Sequence, residues 1–187
     1  MPLYQNSSVD STKLLIGNAK METSVYASAL GSFTWVNMGA GIVNGSAHPF
    51  EKYDVQAGNA PDPIEGIARE TVTIDCELIE FDLSVLSVLS NGLVTSASTG
   101  TVMTLYAGGN TTLTARAYRL TNTRTVSGAT KETILTVFKA TIDAGPSIAW
   151  KSDNDSDPIG VASFTITGEV DSTRSVGTQL YTLTKTI

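Results

Sequence analysis

The sequence is poor in the residues from which most enzyme and metal sites are built. Its 187 residues include one cysteine, Cys76, and one histidine, His48. A single cysteine excludes an intrachain disulfide, and one residue of each kind cannot form an ordinary His/Cys zinc site. His48 lies in the loop-like run Gly45-Ser46-Ala47-His48-Pro49, where a lone histidine is usually only solvated. We therefore predict no catalytic residue, no metal and no cofactor.

Charged residues and long apolar runs are also scarce. Only 16% of the residues are charged, which argues against a helical bundle because the surface of a bundle carries far more Glu and Lys. No apolar run approaches the length that a membrane span needs. The first residues have neither the basic start nor the hydrophobic stretch of a secretory signal. The sequence predicts a protein that does not insert into membranes and is assembled in the cytoplasm.

The abundant residues are those of strands and turns. Serine and threonine together supply 45 residues, and glycine adds 16. Thr, Val and Ile favour strands, whereas Gly and Ser favour the turns between them. Since 41% of the chain is hydrophobic, it has enough apolar side chains to bury a core. The composition predicts a mainly β, antiparallel domain.

The negative charge is concentrated in one segment. Between residues 62 and 82 lie seven acidic residues and one base, Arg69, so this segment accounts for the whole net charge of −6. A protein that reads nucleic-acid sequence needs Lys and Arg on one face, and this segment has the opposite sign. The distribution argues against such a role.

The chain divides into a short arm and one domain. Residues 1–12 are polar and have no hydrophobic period, so we expect an N-terminal arm. Residues 13–187 form the domain. Within it, residues 39–66 are rich in Gly and Pro, and only Phe50–Gln56 has strand-like spacing. We predict a long loop at 39–66, of the kind that usually makes functional contacts.

The clearest strand runs from Ile67 to Phe81. Its even positions are mainly apolar and its odd positions polar, which is typical of a half-buried antiparallel strand. Asp75 and Glu77 should share the polar face, while Cys76 should be a buried, unreactive thiol. Paired carboxylates also occur in glycosidases, but those enzymes normally draw the two groups from separated positions around a cleft.

One helix is predicted directly after this strand. Asp82 is a suitable N-cap, an apolar stripe runs from Leu83 to Leu89, and Asn91-Gly92 is a C-cap signal.

The stretch Asp153–Asp157 resembles the start of a calcium loop, but the Gly and Glu that such a loop requires are replaced by Pro158 and Phe164. Other predicted strands are 13–23, 33–38, 101–106, 113–121, 132–143, 147–150, 161–170 and 179–187, and Gly145-Pro146 is a turn signal between two of them.

Four stretches, in this order along residues 13–187, resemble the major tail (tail tube) proteins of long-tailed bacteriophages. They are the opening strand Leu14–Lys20, the strand and helix start Glu70–Leu83, the pair Tyr118–Asn122 and Thr136–Ile142, and the segment Lys151–Val161 leading into Phe164–Gly168. The resemblance implies an antiparallel β-sandwich with one packed helix. Six subunits would close a ring, with inner strands forming a barrel across the hexameric ring.

The same resemblance implies a virion protein whose rings stack into a conduit for DNA ejection. Its partners would be further copies of itself, a tape-measure protein, and tail terminator and tip proteins. DNA would pass without tight binding, because an acidic channel wall repels phosphates. We expect lumen-facing acids at Glu70, Asp75, Glu77 and Glu80; the alternative is that this polar face meets a neighbouring ring. The residues expected between subunits are Arg116, Arg119, Lys139, His48, Phe50 and Tyr53.

Three other functions remain open at this point. Another phage assembly protein, such as a decoration or head–tail connector protein, would share this composition. An immunoglobulin-like or carbohydrate-binding module would be a stable monomer with an exposed aromatic patch. A hydrolase would need His48, or the pair Asp75 and Glu77, in a cleft.

Overall fold

The mainly β class with one short helix is confirmed by a computed structural model. The structure describes residues 19–27, 33–47, 50–55, 64–79, 83–96, 102–110, 112–126, 128–149 and 161–186. In chain order the elements are β1 (Ala19–Val25), β2 (Val36–Ala47), β3 (Phe50–Val55), β4 (Ile64–Leu78), α1 (Leu83–Leu89), β5 (Leu93–Ser96), β6 (Met103–Tyr106), β7 (Arg116–Val126), β8 (Ala129–Ala149), β9 (Val161–Glu169) and β10 (Tyr181–Lys185).

Six of the strands close into an antiparallel barrel. Its order is β8, β7, β1, β2, β4 and β9, and β9 pairs again with β8. Register shifts in β1, β2, β7 and β8 bend the sheet, as closure of a small barrel requires. The barrel closes within a single chain, so the predicted two-layer sandwich is not confirmed.

Alternating side chains of β4 fill the barrel interior. Val72, Ile74, Cys76 and Leu78 are buried, whereas the residues between them are exposed or half-buried, as the sequence predicts. Partner strands contribute further buried residues, among them Met21, Leu120, Val137, Phe164 and Ile166. Full burial of each large aliphatic side chain contributes about 1.5–3 kcal/mol.

Helix α1 packs its apolar stripe against the core of the barrel. Val85, Leu86 and Leu89 are buried in the common core. The helix ends where Asn91 adopts a left-handed conformation with φ of 50°, and the N–H of Gly92 donates to the carbonyl of Ser87 at 2.8 Å. The predicted helix and its C-cap are confirmed, and Asp82 lies outside the described residues.

Strands β2 and β3 occupy much of the stretch 39–66: β3 agrees with the strand-like spacing of Phe50–Gln56, whereas β2 runs through residues 39–47, where a loop was expected. They pair in succession with β4. The glycines that suggested turns instead allow neighbouring strands to approach closely or a strand to form a bulge. Gly39 has φ of 114° beside a register shift, and a Cβ on Gly41 would lie 2.3 Å from the carbonyl oxygen of Glu77.

Strand β8 differs from its prediction in a similar way. It runs unbroken through Gly145-Pro146, for which the sequence predicts a turn. Register shifts against β9 on either side of Ala144 place Pro146 where it need not donate a ladder hydrogen bond. Strand β5 was not predicted, and the arm 1–12 and the Asp153–Asp157 turn lie outside the described residues.

Candidate functional site

Two strand edges are open at the ends of the sheet. The sheet order begins at β10 and finishes at β3, and in the described part of the chain each pairs with a single neighbour. Among the described residues, 64–70 of β4 pair with β3 alone, because the pairing of β9 with β4 begins at Thr71. We call β3 and residues 64–70 the projecting hairpin. Isolated two-stranded hairpins are marginally stable in water, so this one is suited to further pairing.

Strand β10 and the projecting hairpin each carry an exposed aliphatic side chain. Ile67 in the projecting hairpin is 53% exposed, and Leu183 on β10 is 61% exposed. Unpaired main-chain groups beside apolar side chains are typical of surfaces that another strand covers. The two edges are therefore candidate contact surfaces between chains.

The predicted inter-subunit aromatics lie on one of these edges. The main chain of Phe50 is paired with Glu70, and that of Tyr53 with Gly66, so both belong to the projecting hairpin. His48 lies outside the described residues. Contact of Phe50 or Tyr53 with another subunit stays a prediction.

The outer face of β4 and β9 is acidic and rich in hydroxyl groups. Asp75 and Glu77 share this face and are paired across the strands with Thr165 and Ser163. Thr165 Oγ1 donates to Asp75 Oδ1 at 2.9 Å. We call this surface, defined by Asp75, Glu77, Ser163 and Thr165, the acidic face.

The other two predicted lumen acids are placed differently. Glu70 is half-buried in the projecting hairpin, beyond the segment of β4 that pairs with β9. Glu80 lies outside the described residues. The structure thus groups Asp75 with Glu77, as the alternation predicts, and leaves a channel-facing role for all four acids as a prediction.

The predicted inter-subunit bases all have partners within their own chain. Arg119 lies 2.6 Å from Glu22 and stacks over the Trp35 ring at 4.5 Å. Lys139 lies 3.6 Å from Glu169, a partly solvated pair that contributes little to stability. Arg116 Nε donates to Thr23 Oγ1 at 3.0 Å. Pairing of these bases with another subunit stays a prediction.

Sequence reasoning did not find Glu22, which is a buried carboxylate between two bases. Its oxygens lie 2.8 Å from Lys20 Nζ and 2.6 Å from Arg119 Nη2. Burial acts to raise the pKa of Glu22, but the hydrogen bonds and charges of Lys20 and Arg119 together hold that pKa below its ordinary value. Glu22 therefore stays ionised and, from β1, holds the side chain of Arg119 on the neighbouring strand β7 in place.

A second polar cluster holds β10 in place. Residues 170–180, which we call the clip, connect β9 to β10 and contain the buried pair Asp171 and Arg174, with Nε and Oδ2 3.0 Å apart. Asp171 Oδ1 accepts from the hydroxyls of Tyr26 at 2.9 Å and Thr173 at 2.6 Å. The Arg174 guanidinium stacks 3.6 Å from the centre of the Phe138 ring.

Asp171 and Arg174 were also missed from the sequence. Burial acts to raise the pKa of Asp171, but hydrogen bonds from Thr173, Tyr26 and Arg174 hold it below its ordinary value. The only sequence signal is an Asp followed two residues later by Thr, a turn pattern that gives no information about Tyr26. The clip therefore depends on contacts between distant parts of the chain.

No family model matches the chain, and no curated protein matches it. In the part of the chain that the structure describes, no group of three or more His, Cys, Asp or Glu residues is placed to hold a metal ion. No helix within the described ranges is long and apolar enough to cross a membrane. The candidate site is thus a set of surfaces: two open edges and the acidic face.

Proposed function

We propose that this chain is a structural virion protein that polymerises as stacked hexameric rings into a phage tail tube. The observation that carries the proposal is the pair of unlike open edges, the projecting hairpin and β10, on one subunit. Copies joined through unlike surfaces associate head to tail, and such contacts generate rings when the rotation closes. Pairing in a ring would also cover both edges, which otherwise invite aggregation.

In this proposal the barrel of each chain is the body of a subunit. The projecting hairpins of six copies would continue into a barrel that surrounds the channel. This arrangement keeps the inner-barrel part of the sequence-based expectation and replaces the sandwich by a single-chain barrel as the subunit body. Tape-measure, terminator and tip proteins would contact the inside and the ends of the tube.

The acidic face lies on β4 beyond the projecting hairpin, and it supports a role as the part of the channel wall next to the hairpin barrel. Asp75 and Glu77 are surrounded there by hydroxyls of β9, and no Lys or Arg lies on β9. A wall of this charge repels the DNA backbone and offers few sites where it could adhere. DNA would therefore pass without tight binding.

Exposed apolar residues on β6 support contacts between rings. Met103 and Tyr106 of this strand are exposed, as is the preceding Val102, and β6 packs beside α1. An exposed apolar surface of this kind is suited to stacking on the next ring. Stacked rings of this kind form a tube.

The test uses single charges placed on the open edges. We expect Leu183→Lys and Ile67→Lys to remain monomeric in sedimentation velocity under conditions where the unmodified protein polymerises. Both side chains are exposed, so the thermal unfolding temperature should change little. Val176→Lys is the matched control, because Val176 is 90% exposed and lies in the clip, outside the paired residues of both edge strands. Normal polymerisation of both edge variants would refute the proposed contacts.

A further inference from the structure

The sheet divides into two branches where β9 ends. Strand β9 runs between β4 and β8 as far as Glu169, which pairs with Thr71 of β4. The clip then leaves the sheet, and β10 resumes on β8, on the edge opposite β7 that β9 also occupies. Beyond β9 the described sheet is therefore open, with residues 64–70 of β4 at one edge and β10 at the other. We call this opening the fork.

A cleft of about 530 Å³ lies in the fork. Ile67 and Thr71 line it from the edge of β4, and Val170 and Gln179 line it from the ends of the clip. Among the described residues, β4 and β10 do not pair with each other. Each edge of the fork thus keeps main-chain N–H and C=O groups that another strand could pair with.

Strand β10 continues the line of β9 two paired positions further along β8. Gly168 of β9 pairs with Ala140. Tyr181 of β10 pairs with Val137. Between these two pairs β8 contains one extra residue, a bulge, because β7 spans the same interval with Ala117 alone. Gly168 and Tyr181 consequently share the face of the core, against which Tyr181 packs.

The same count along β4 places Ile67 level with Leu183. Val72 pairs with Gly168, so the residue two positions further along β4 is level with the first residue of β10. From there β4 has one extra residue between Arg69 and Ile67, because adjacent residues of β3 pair with these two. Two further paired positions therefore lead to Ile67 on β4 and to Leu183 on β10.

Ile67 and Leu183 also lie on the same face of the sheet. Leu183 pairs with Leu135, which packs against the core. The bulge in β4 turns Ile67 onto the face of Val72, which is buried in the core. Both Ile67 and Leu183 are nevertheless exposed. The face of the core therefore continues into the fork without cover from the described part of the chain.

We propose that β10 of one copy pairs antiparallel with residues 65–69 of β4 in the next copy, with Leu183 opposite Ile67. This inference rests on the tail-tube proposal and specifies its contact between subunits. In this register the two exposed aliphatic side chains cover each other. A shift of one position would turn them to opposite faces, and a shift of two would place Leu183 opposite a glutamate, Glu65 or Glu70.

The partner of each edge is another copy because both edges are already held within their own chain. The buried pair Asp171 and Arg174 anchors the clip, and Arg174 stacks on Phe138 of β8, next to the start of β10. Residues 64–70 are held by β3. Closing the fork within one chain would displace one of these branches. Head-to-tail copies bring the unlike edges together without displacing either.

Disulfide trapping tests the register with single-cysteine variants. Leu183→Cys and Ile67→Cys are purified separately, mixed, assembled and mildly oxidised, and free thiols are blocked with N-ethylmaleimide before denaturation. We expect the covalent dimer of the two variants, identified by mass, to form at least about 5-fold faster than when Glu70→Cys replaces Ile67→Cys. Directly opposite residues meet the distance that a disulfide needs, whereas diagonal ones do not.

The control for random collision is Leu183→Cys mixed with Val176→Cys. Val176 is 90% exposed and lies in the clip, outside both edges of the fork. We expect this mixture to form the covalent dimer as slowly as the one with Glu70→Cys. The native Cys76 is buried, so it should not contribute to trapping.

A pair of charges provides a second test of the same register. Leu183→Lys and Ile67→Glu should each prevent polymerisation in sedimentation velocity. The double variant Leu183→Lys/Ile67→Glu should regain part of it, because every contact then places Lys opposite Glu. The matched control is Leu183→Lys/Ile67→Lys, which should stay monomeric because like charges would be opposite each other.

Three results would overturn the proposed register. They are equal trapping by Ile67→Cys and Glu70→Cys, a Leu183→Lys/Ile67→Glu variant as monomeric as its two parents, and an intrachain disulfide in monomeric Leu183→Cys/Ile67→Cys. The last result would mean that the fork closes within one chain. If the wild type still forms tubes, each of these results removes the register and leaves the tail-tube proposal standing. Absence of any polymer overturns both.

Discussion

Asp171→Asn tests the buried ion pair of the clip. In the wild type, Asp171 and Arg174 have side chains that are 1% and 2% exposed. Removing the negative charge leaves the Arg174 guanidinium buried without its counterion, and Nη2 of that group already has no partner among the described residues. Breaking a buried pair from one side costs about 3–5 kcal/mol.

The expected loss in free energy of unfolding is measurable by urea unfolding at pH 7, monitored by circular dichroism. For a domain of this size, each kcal/mol corresponds to about 2–4 °C, so the unfolding temperature should fall by about 6–20 °C. Adding Arg174→Met to Asp171→Asn removes the uncompensated charge and should recover part of the loss. A decrease in the free energy of unfolding below about 1 kcal/mol for Asp171→Asn would refute this reasoning. So would a double variant whose decrease equals the sum of the decreases measured for Asp171→Asn and Arg174→Met alone.

The same variant has a defined dependence on pH. Because the pKa of Asp171 is lowered in the folded state, its contribution to stability is fully present above the unfolded-state value of 3.8. That contribution is lost as the pH falls through the pKa of Asp171 in the folded state, which is lower than in the unfolded state. Glu22 also contributes in acid, so the quantity to follow is the difference between wild type and Asp171→Asn. We expect this difference to be constant from pH 5 to 7 and to shrink below about pH 4.

Three further predictions address the core, the thiol and the acidic face. Gly41→Ala should lose about 1–3 kcal/mol in urea unfolding, because its Cβ would lie 2.3 Å from a backbone oxygen of β4, whereas Gly145→Ala meets nothing within 4 Å and should match wild type. The Cys76 thiol should react with Ellman's reagent only on unfolding, because it is buried and burial raises its pKa to about 12; rapid reaction of the native protein would contradict this. The double variant Asp75→Lys/Glu77→Lys should still form tubes but retain DNA in co-sedimentation, where wild-type tubes do not.

The parts of the fold that the sequence predicts well are those with a strong local period. The alternation along β4 correctly places Ile74, Cys76 and Leu78 inside and Asp75 outside, since a period of two leaves one choice of face once the core side is apolar. Helix α1 is equally local, because its stripe and its C-cap at Asn91 lie within ten residues of each other. Both predictions needed no information about distant parts of the chain.

The errors arise where glycine or proline serves a long-range contact. Gly41 suggested a loop, but its missing side chain lets β2 approach β4 closely, and only the partner strand reveals this. Pro146 suggested a turn, but a register shift accommodates it within β8. Closure of the barrel depends on β9 pairing with both β4 and β8, and no local pattern contains that pairing.

The candidate surfaces were predictable only in part. The grouping of Asp75 with Glu77 follows from strand alternation, whereas the hydroxyl partner of Asp75 comes from β9, 90 residues away in sequence. The open edges depend on which strands remain without a second neighbour, a property of the whole sheet. The bases chosen from sequence are engaged within the chain because residues such as Glu22 face them across the strands.

Negative-stain electron microscopy of the purified protein over a range of concentrations tests the tail-tube proposal most directly. The proposal predicts hollow tubes, or rings with six-fold symmetry and a central pore, and light scattering that rises with concentration. It also predicts that Leu183→Lys abolishes both, while Val176→Lys preserves them. A monodisperse monomer throughout the concentration range, with the same appearance for wild type and both variants, would contradict the proposal.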